Sequence, residues 1–71
     1  MATPVEAPMV GKILQVLVKV GDEVAEDDPV VVMEAMKMEI NVVAPTGGRV
    51  AEVRVAAGDS VDTDQVVAVI E

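Results

Sequence analysis

The segment APMVGKILQVLVKVGDEVAEDDPVVVME, Ala7 to Glu34, returns later in the chain as APTGGRVAEVRVAAGDSVDTDQVVAVIE, Ala44 to Glu71. At an offset of 37 the two copies align without a gap over 28 pairs. Twelve of those pairs are identical: Ala7, Pro8, Gly11, Val16, Val18, Gly21, Asp22, Val24, Asp27, Val30, Val32 and Glu34 with their counterparts. An unrelated pairing would give roughly two or three, so the duplication is a property of the fold. Two copies are too few for a solenoid. Two similar halves, each with one apolar face to bury, close on one another as a sandwich or flattened barrel with approximate two-fold symmetry.

Each half reads as β-structure. Val dominates the apolar residues, and its stiff first torsion favours strands over helices. Runs such as Ile13-Leu14-Gln15-Val16-Leu17-Val18 and Val66-Val67-Ala68-Val69-Ile70 are short and bounded by Gly, Asp or Pro. The duplication also orients side chains. Val16 and Val18 recur as Val53 and Val55, whereas Leu17 between them recurs as Arg54. A position that accepts Leu and Arg faces water, so its neighbours face inward. The reading therefore buries Val16, Val18, Val32, Val53, Val55 and Val69. Ile13 and Val50 are out of step with Val16 and Val53, which predicts a bulge near residues 14 and 51. Gly21-Asp22 and Gly58-Asp59 read as turns.

Composition excludes most chemistry. The chain has no Cys and no His, hence no disulfide, no thiolate or imidazole metal site and no Ser/His/Asp or Cys nucleophile. Such a chain is not expected to be an enzyme in its own right. Thirteen acidic residues against five basic ones give a formal charge of -8, and there is no Trp, Tyr or Phe. Neither the cationic clusters nor the stacking rings of a nucleic-acid binder are present, and an anionic membrane would repel the chain. Met1-Ala2-Thr3-Pro4 shows no signal-peptide pattern, and no apolar run reaches membrane-spanning length. The expectation is a cytoplasmic protein. Asp22, Glu23, Glu26, Asp27 and Asp28 cluster, but without the spaced ligands and central Gly of a calcium loop. Asp59, Asp62 and Asp64 recur in the second copy, so both groups read as solvated turns and no metal is expected.

Between the copies lies Ala35-Met36-Lys37-Met38-Glu39-Ile40-Asn41-Val42-Val43, outside the duplication like the extreme N-terminus. Val30 to Glu34 and Met38 to Val43 read as strands, which leaves Met36-Lys37 as a tight hairpin. Two-residue hairpins need positive φ at both central residues and favour Asn-Gly or Asp-Gly. Met-Lys is a poor local choice, and such violations concentrate at functional sites. Lys37 is then a solvated turn lysine or a lysine placed for use.

Glu34-Ala35-Met36-Lys37-Met38-Glu39 resembles the attachment motif of biotinyl carrier domains, where the Lys between two Met residues is biotinylated. The flanks Ala7-Pro8-Met9-Val10-Gly11 and Val18-Lys19-Val20-Gly21-Asp22 agree, and the resemblance runs from about Val5 to Glu71. It implies a single domain over residues 1–71, a barrel-sandwich of two four-stranded antiparallel sheets with repeat halves 7–34 and 44–71 and an attachment hairpin at 34–40. It implies that a biotin protein ligase joins biotin to Lys37 through an amide. A biotin carboxylase then loads carboxylate, and a carboxyltransferase or decarboxylase receives it. Met36 and Met38 would be read by the ligase or a partner; Glu34 and Glu39 border the site, as ligase contacts or as plain strand-end charges. No insertion separates Gly11 from Gly21, so the chain is similar to the carriers that lack a protruding thumb. No Pro/Ala-rich linker precedes the repeat, as in a free-standing carrier or an excised domain. Two rivals stand beside this reading. A lipoyl carrier has the same fold but typically shows Asp-Lys-Ala at the lysine, and a cofactor-free β-sandwich adaptor would carry nothing.

Overall fold

β-Branched residues in short runs, cut by Gly, Asp and Pro, leave the chain little choice but paired strands. The structure is a computed structural model that describes residues 2–71; Met1, where the reading of the N-terminus begins, lies outside the described residues. Eight strands follow in order: β1 (Thr3–Glu6), β2 (Gly11–Val16), β3 (Glu23–Val24), β4 (Pro29–Ala35), β5 (Met38–Val43), β6 (Gly48–Val53), β7 (Ser60–Val61) and β8 (Val66–Ile70). They form two four-stranded antiparallel sheets, ordered β1-β8-β6-β3 and β5-β4-β2-β7. The two-layer all-β architecture is the one expected. No helix among the described residues is long and apolar enough to cross a membrane.

The two-fold relation governs every pairing. Adding 37 to β2 and β3 gives β6 and β7, adding it to β1 gives the last four residues of β5, and adding it to the start of β4 gives the start of β8. The symmetry reaches further than the sequence repeat. The β1–β8 pairs Thr3↔Ile70, Pro4↔Val69 and Val5↔Ala68 reappear as Ile40↔Met33, Asn41↔Val32 and Val42↔Val31 between β5 and β4. Residues 40–43 are thus the structural counterpart of residues 3–6, although only Val5 and Val42 match in type. The stretch without a counterpart narrows from 35–43 to 35–39.

The bulges fall where the phase slip places them, between Ile13 and Gln15 and between Val50 and Glu52. The turns are equally paired. Gly21 and Gly58 hold φ of 97° and 96°, and Asp27 and Asp64 hold 72° and 66°. Asp22 Oδ2 accepts from Lys19 N at 3.0 Å and Asp59 Oδ2 from Ala56 N at 2.9 Å. Asp28 Oδ2 accepts from Ala25 N at 2.9 Å, and Gln65 Oε1 from Asp62 N at 3.0 Å. The clustered carboxylates staple their own turns. No group of three acidic side chains among the described residues is placed to hold a metal.

The core is apolar throughout, with Val5, Ile13, Val30, Val31, Met33, Val61, Val67 and Ile70 at its centre and no buried polar residue among those described. Val55 and Val69 are buried as expected, and Leu17 faces out, 44% exposed. Four expected core positions differ. Val16, Val18 and Val53 are half-buried, and Val16 and Val18 pack against the core without entering it. The cause is the length of the flanking strands. β7 pairs with β2 only at Gly11 and Lys12, and β3 pairs with β6 only at Gly48 and Arg49, so the far ends of β2 and β6 have no neighbour on that side. Val32 is half-buried because it faces outward, in a row with exposed Gln15 and Asn41. Strict alternation does not survive the bulged pairing on both sides of β4, so Val30 and Val31 are both buried before Val32 turns out.

Candidate functional site

Where β4 returns as β5, the pairing runs down to Met33↔Ile40, Glu34↔Glu39 and Ala35↔Met38, leaving Met36 and Lys37 alone at the tip. Their φ angles are 53° and 65°. Both are left-handed, the geometry of the primed turn that matches the twist of the two strands. For residues with a Cβ this conformation costs about 1–2 kcal/mol each, a cost the strand pairing behind the tip must offset. The tip is a projection. Met36 is 81% and Met38 59% exposed, an unusual state for two thioether side chains. Lys37 is exposed too, and the one ion pair among the described residues, Arg54–Glu52 at 3.2 Å, lies on the other sheet.

Behind the tip the strands sort their side chains by face. Lys12, Glu34 and Glu39 stand opposite one another across β2, β4 and β5, all exposed on the outer face. Two carboxylates directly opposite repel, with Lys12 as the nearest compensation in the row. Ala35 points the other way and is 2% exposed. An open depression of about 520 Å³, lined by Glu23, Val24, Gly48, Arg49 and Glu71, lies on the β3–β6 edge of the other sheet. That is the two-fold counterpart of the hairpin base, whereas at the tip itself Met36, Lys37 and Met38 are all exposed.

The structure brings all five sequence-expected residues, Glu34, Met36, Lys37, Met38 and Glu39, onto this one hairpin. Two further residues stand at the base of this hairpin, Gly11 and Ala35, which the sequence offered only as members of the repeat and of the motif. A Cβ on Gly11 would stand 2.5 Å from the Glu34 carbonyl oxygen and 3.2 Å from Ala35 Cβ. The conserved spacing of Gly11 and Gly48 in the duplication was the available signal, since two copies that keep Gly share a close approach.

Comparison with known proteins decides the family. The biotin–lipoyl family, described as biotin-requiring enzyme, matches residues 3–70. The chain belongs to this family. The biotin carboxyl carrier protein of Streptococcus mutans is 55% identical over 42 residues, 59% of this chain and 32% of that protein. The biotin carboxyl carrier protein of acetyl-CoA carboxylase from Solanum lycopersicum is 63% identical over 35 residues, 49% of this chain and 50% of that protein. The crystal structure of Kluyveromyces lactis urea carboxylase contains a unit that superposes on the whole of this chain with a TM-score of 0.94 and 34% identity, 6% of that chain. This member of the biotin–lipoyl family thus spans a third to a half of those two curated relatives. The resemblance to biotinyl carriers, and biotin as the cofactor, are borne out, and the lipoyl alternative is disfavoured.

Proposed function

We propose that residues 1–71 form one biotin carboxyl carrier domain whose acceptor is Lys37. The observation that carries this is the hairpin itself: a lysine held at positive φ beside two exposed methionines, at a tip where Asn-Gly would be more stable. Nothing in packing calls for Met-Lys-Met there, and a family that requires biotin supplies the reason.

The site fits the cofactor on its own terms. Attachment needs a primary amine on a long stem that a second protein can enclose, and the Lys37 Nζ is exposed at the end of a rigid two-stranded platform. Attached biotin supplies a ureido nitrogen that takes up and releases carboxylate. The chain's residues do the rest. Lys37 would supply the amine that attacks the ATP-activated carboxyl of biotin, displacing the nucleotide and passing the amine proton to the ligase, and would then serve as a neutral tether. Met36 and Met38 present apolar surface that the biotin protein ligase reads. Glu34 and Glu39 flank the approach. The folded domain keeps the arm close to each active site in turn, raising its effective concentration there. The partners are a biotin carboxylase and a carboxyltransferase or decarboxylase, and the proposed compartment is the cytoplasm. The urea carboxylase and carrier-protein relatives support this class of partner. Cells expressing the protein, blotted with avidin and with an anti-lipoyl antibody, separate the readings. An avidin band alone is expected; an anti-lipoyl band, or neither band, would sink it.

A further inference from the structure

β2 passes close under the base of the hairpin, and the space at Gly11 is full. A Cβ there would meet the Glu34 carbonyl oxygen at 2.5 Å, Met33 Cε at 2.5 Å and Ala35 Cβ at 3.2 Å. Met33 could swing its terminal methyl aside. The Glu34 backbone and the buried Ala35 cannot yield without moving the strand, because the interior around them is close-packed. Met33, Glu34 and Ala35 are the last three residues of β4, and Met36 and Lys37 follow directly. The missing side chain at Gly11 and the small one at Ala35 therefore set the direction in which the tip leaves the sheet.

We propose that Gly11 and Ala35 are positioning residues for the acceptor lysine, a seat that fixes where the Lys37 amine stands when the ligase engages. The proposal rests on Lys37 being the acceptor. An amide-forming attack needs the amine at close range and correct angle, and a displacement on the order of 1 Å can cost as much as 100-fold in rate.

The two-fold symmetry provides a control that is, if anything, harsher on the backbone, because Gly48 also holds a φ of 158° and Gly11 does not share it. A Cβ on Gly48 would meet the Glu71 carbonyl oxygen at 2.5 Å and Ile70 Cγ2 at 2.9 Å. The wedge is driven against the equivalent carbonyl oxygen, on the sheet that carries no lysine hairpin. Gly11→Ala and Gly48→Ala are compared with the full wild-type chain. Circular dichroism gives the folded fraction, ligase initial rates give kcat and KM for the carrier, and NMR follows cross-strand proton contacts between Ala35 and Met38. For Gly11→Ala we expect kcat to fall about 10- to 100-fold with KM changed far less, and the Ala35–Met38 contacts to weaken. Gly48→Ala should keep kcat within about twofold and keep those contacts. Equal kcat losses in the two variants at equal folded fraction, or wild-type kcat in folded Gly11→Ala, overturn the proposal. If Gly11→Ala does not fold, Ala35→Gly, which adds no bulk, should lower kcat severalfold, and an unchanged kcat overturns it. The NMR contacts need no ligase. An unmoved hairpin in Gly11→Ala refutes the seat itself, whereas a wild-type chain the ligase ignores refutes the Lys37 reading and with it the seat's purpose.

Discussion

Truncating Val31 and Val32 in turn to Ala tests the register of the central strand. Val31 is 0% exposed, in an inward row with Val16 and Val42, while its neighbour Val32 looks outward between Gln15 and Asn41. Val31→Ala removes two buried methyl groups, about 1.6 kcal/mol of transfer free energy at ~0.8 kcal/mol each. A rigid core leaves most of their volume empty, and a residual cavity of roughly 50 Å³ at ~24 cal/mol per Å³ adds about 1 kcal/mol. The expected loss is about 2–3 kcal/mol. For 71 residues the total stability is on the order of 4–10 kcal/mol, so this is a large share of it. It corresponds to a drop in Tm of about 10–20 °C. Val32→Ala should cost less than about 1 kcal/mol, since its side chain faces outward and is already partly exposed. The chain has no Trp or Tyr, so urea unfolding is followed by far-ultraviolet circular dichroism. Equal losses at the two positions would refute the register.

Leu17→Ala, at a 44% exposed site, should change stability by less than about 0.5 kcal/mol in the same urea titration. The double variant Met36→Asn/Lys37→Gly places the preferred primed-turn pair at φ of 53° and 65°. It should gain about 1–2 kcal/mol of stability while losing modification entirely, and a loss of stability would show that the tip is not strained. Asp22→Ala and Asp59→Ala each remove one turn hydrogen bond and should each cost about 0.5–1.5 kcal/mol, adding in the double variant because the turns are separate. Met36→Asp with Met38→Ala keeps the fold, both side chains being exposed, but should slow biotinylation and admit some lipoylation in initial-rate assays with each ligase. Unchanged biotinylation would mean that the ligase reads backbone geometry alone.

What was legible in the sequence follows from what the duplication records. Gly21 and Gly58, the bulges beside Leu14 and Ala51, and the outward Leu17–Arg54 pair are each written twice, so each could be read. The Met36-Lys37 turn was legible for the opposite reason: its local chemistry is wrong for its geometry. The kinship of β1 with β5 was not, because those strands share only Val5 and Val42; backbone pairing maintains them. Val32 misled because two bulges change which face a Val presents, and a bulge's position does not say how the partner strand absorbs it. Half-burial of Val16 and Val53 depends on β7 and β3 being two residues long, a matter of where pairing stops. Ala35 read as part of a recognition motif, yet its side chain packs inward; small residues in motifs answer to steric limits that only the neighbouring strand reveals.

The central claim is a covalent one and can be tested by mass. The chain is incubated with biotin protein ligase, biotin and ATP, weighed intact, and mapped by peptide digestion. One added biotinyl group at Lys37 is expected, abolished in Lys37→Arg and retained in Lys12→Arg and Lys19→Arg. Attachment at Lys12 or Lys19, or no added mass under conditions where the ligase modifies another carrier, would contradict the account.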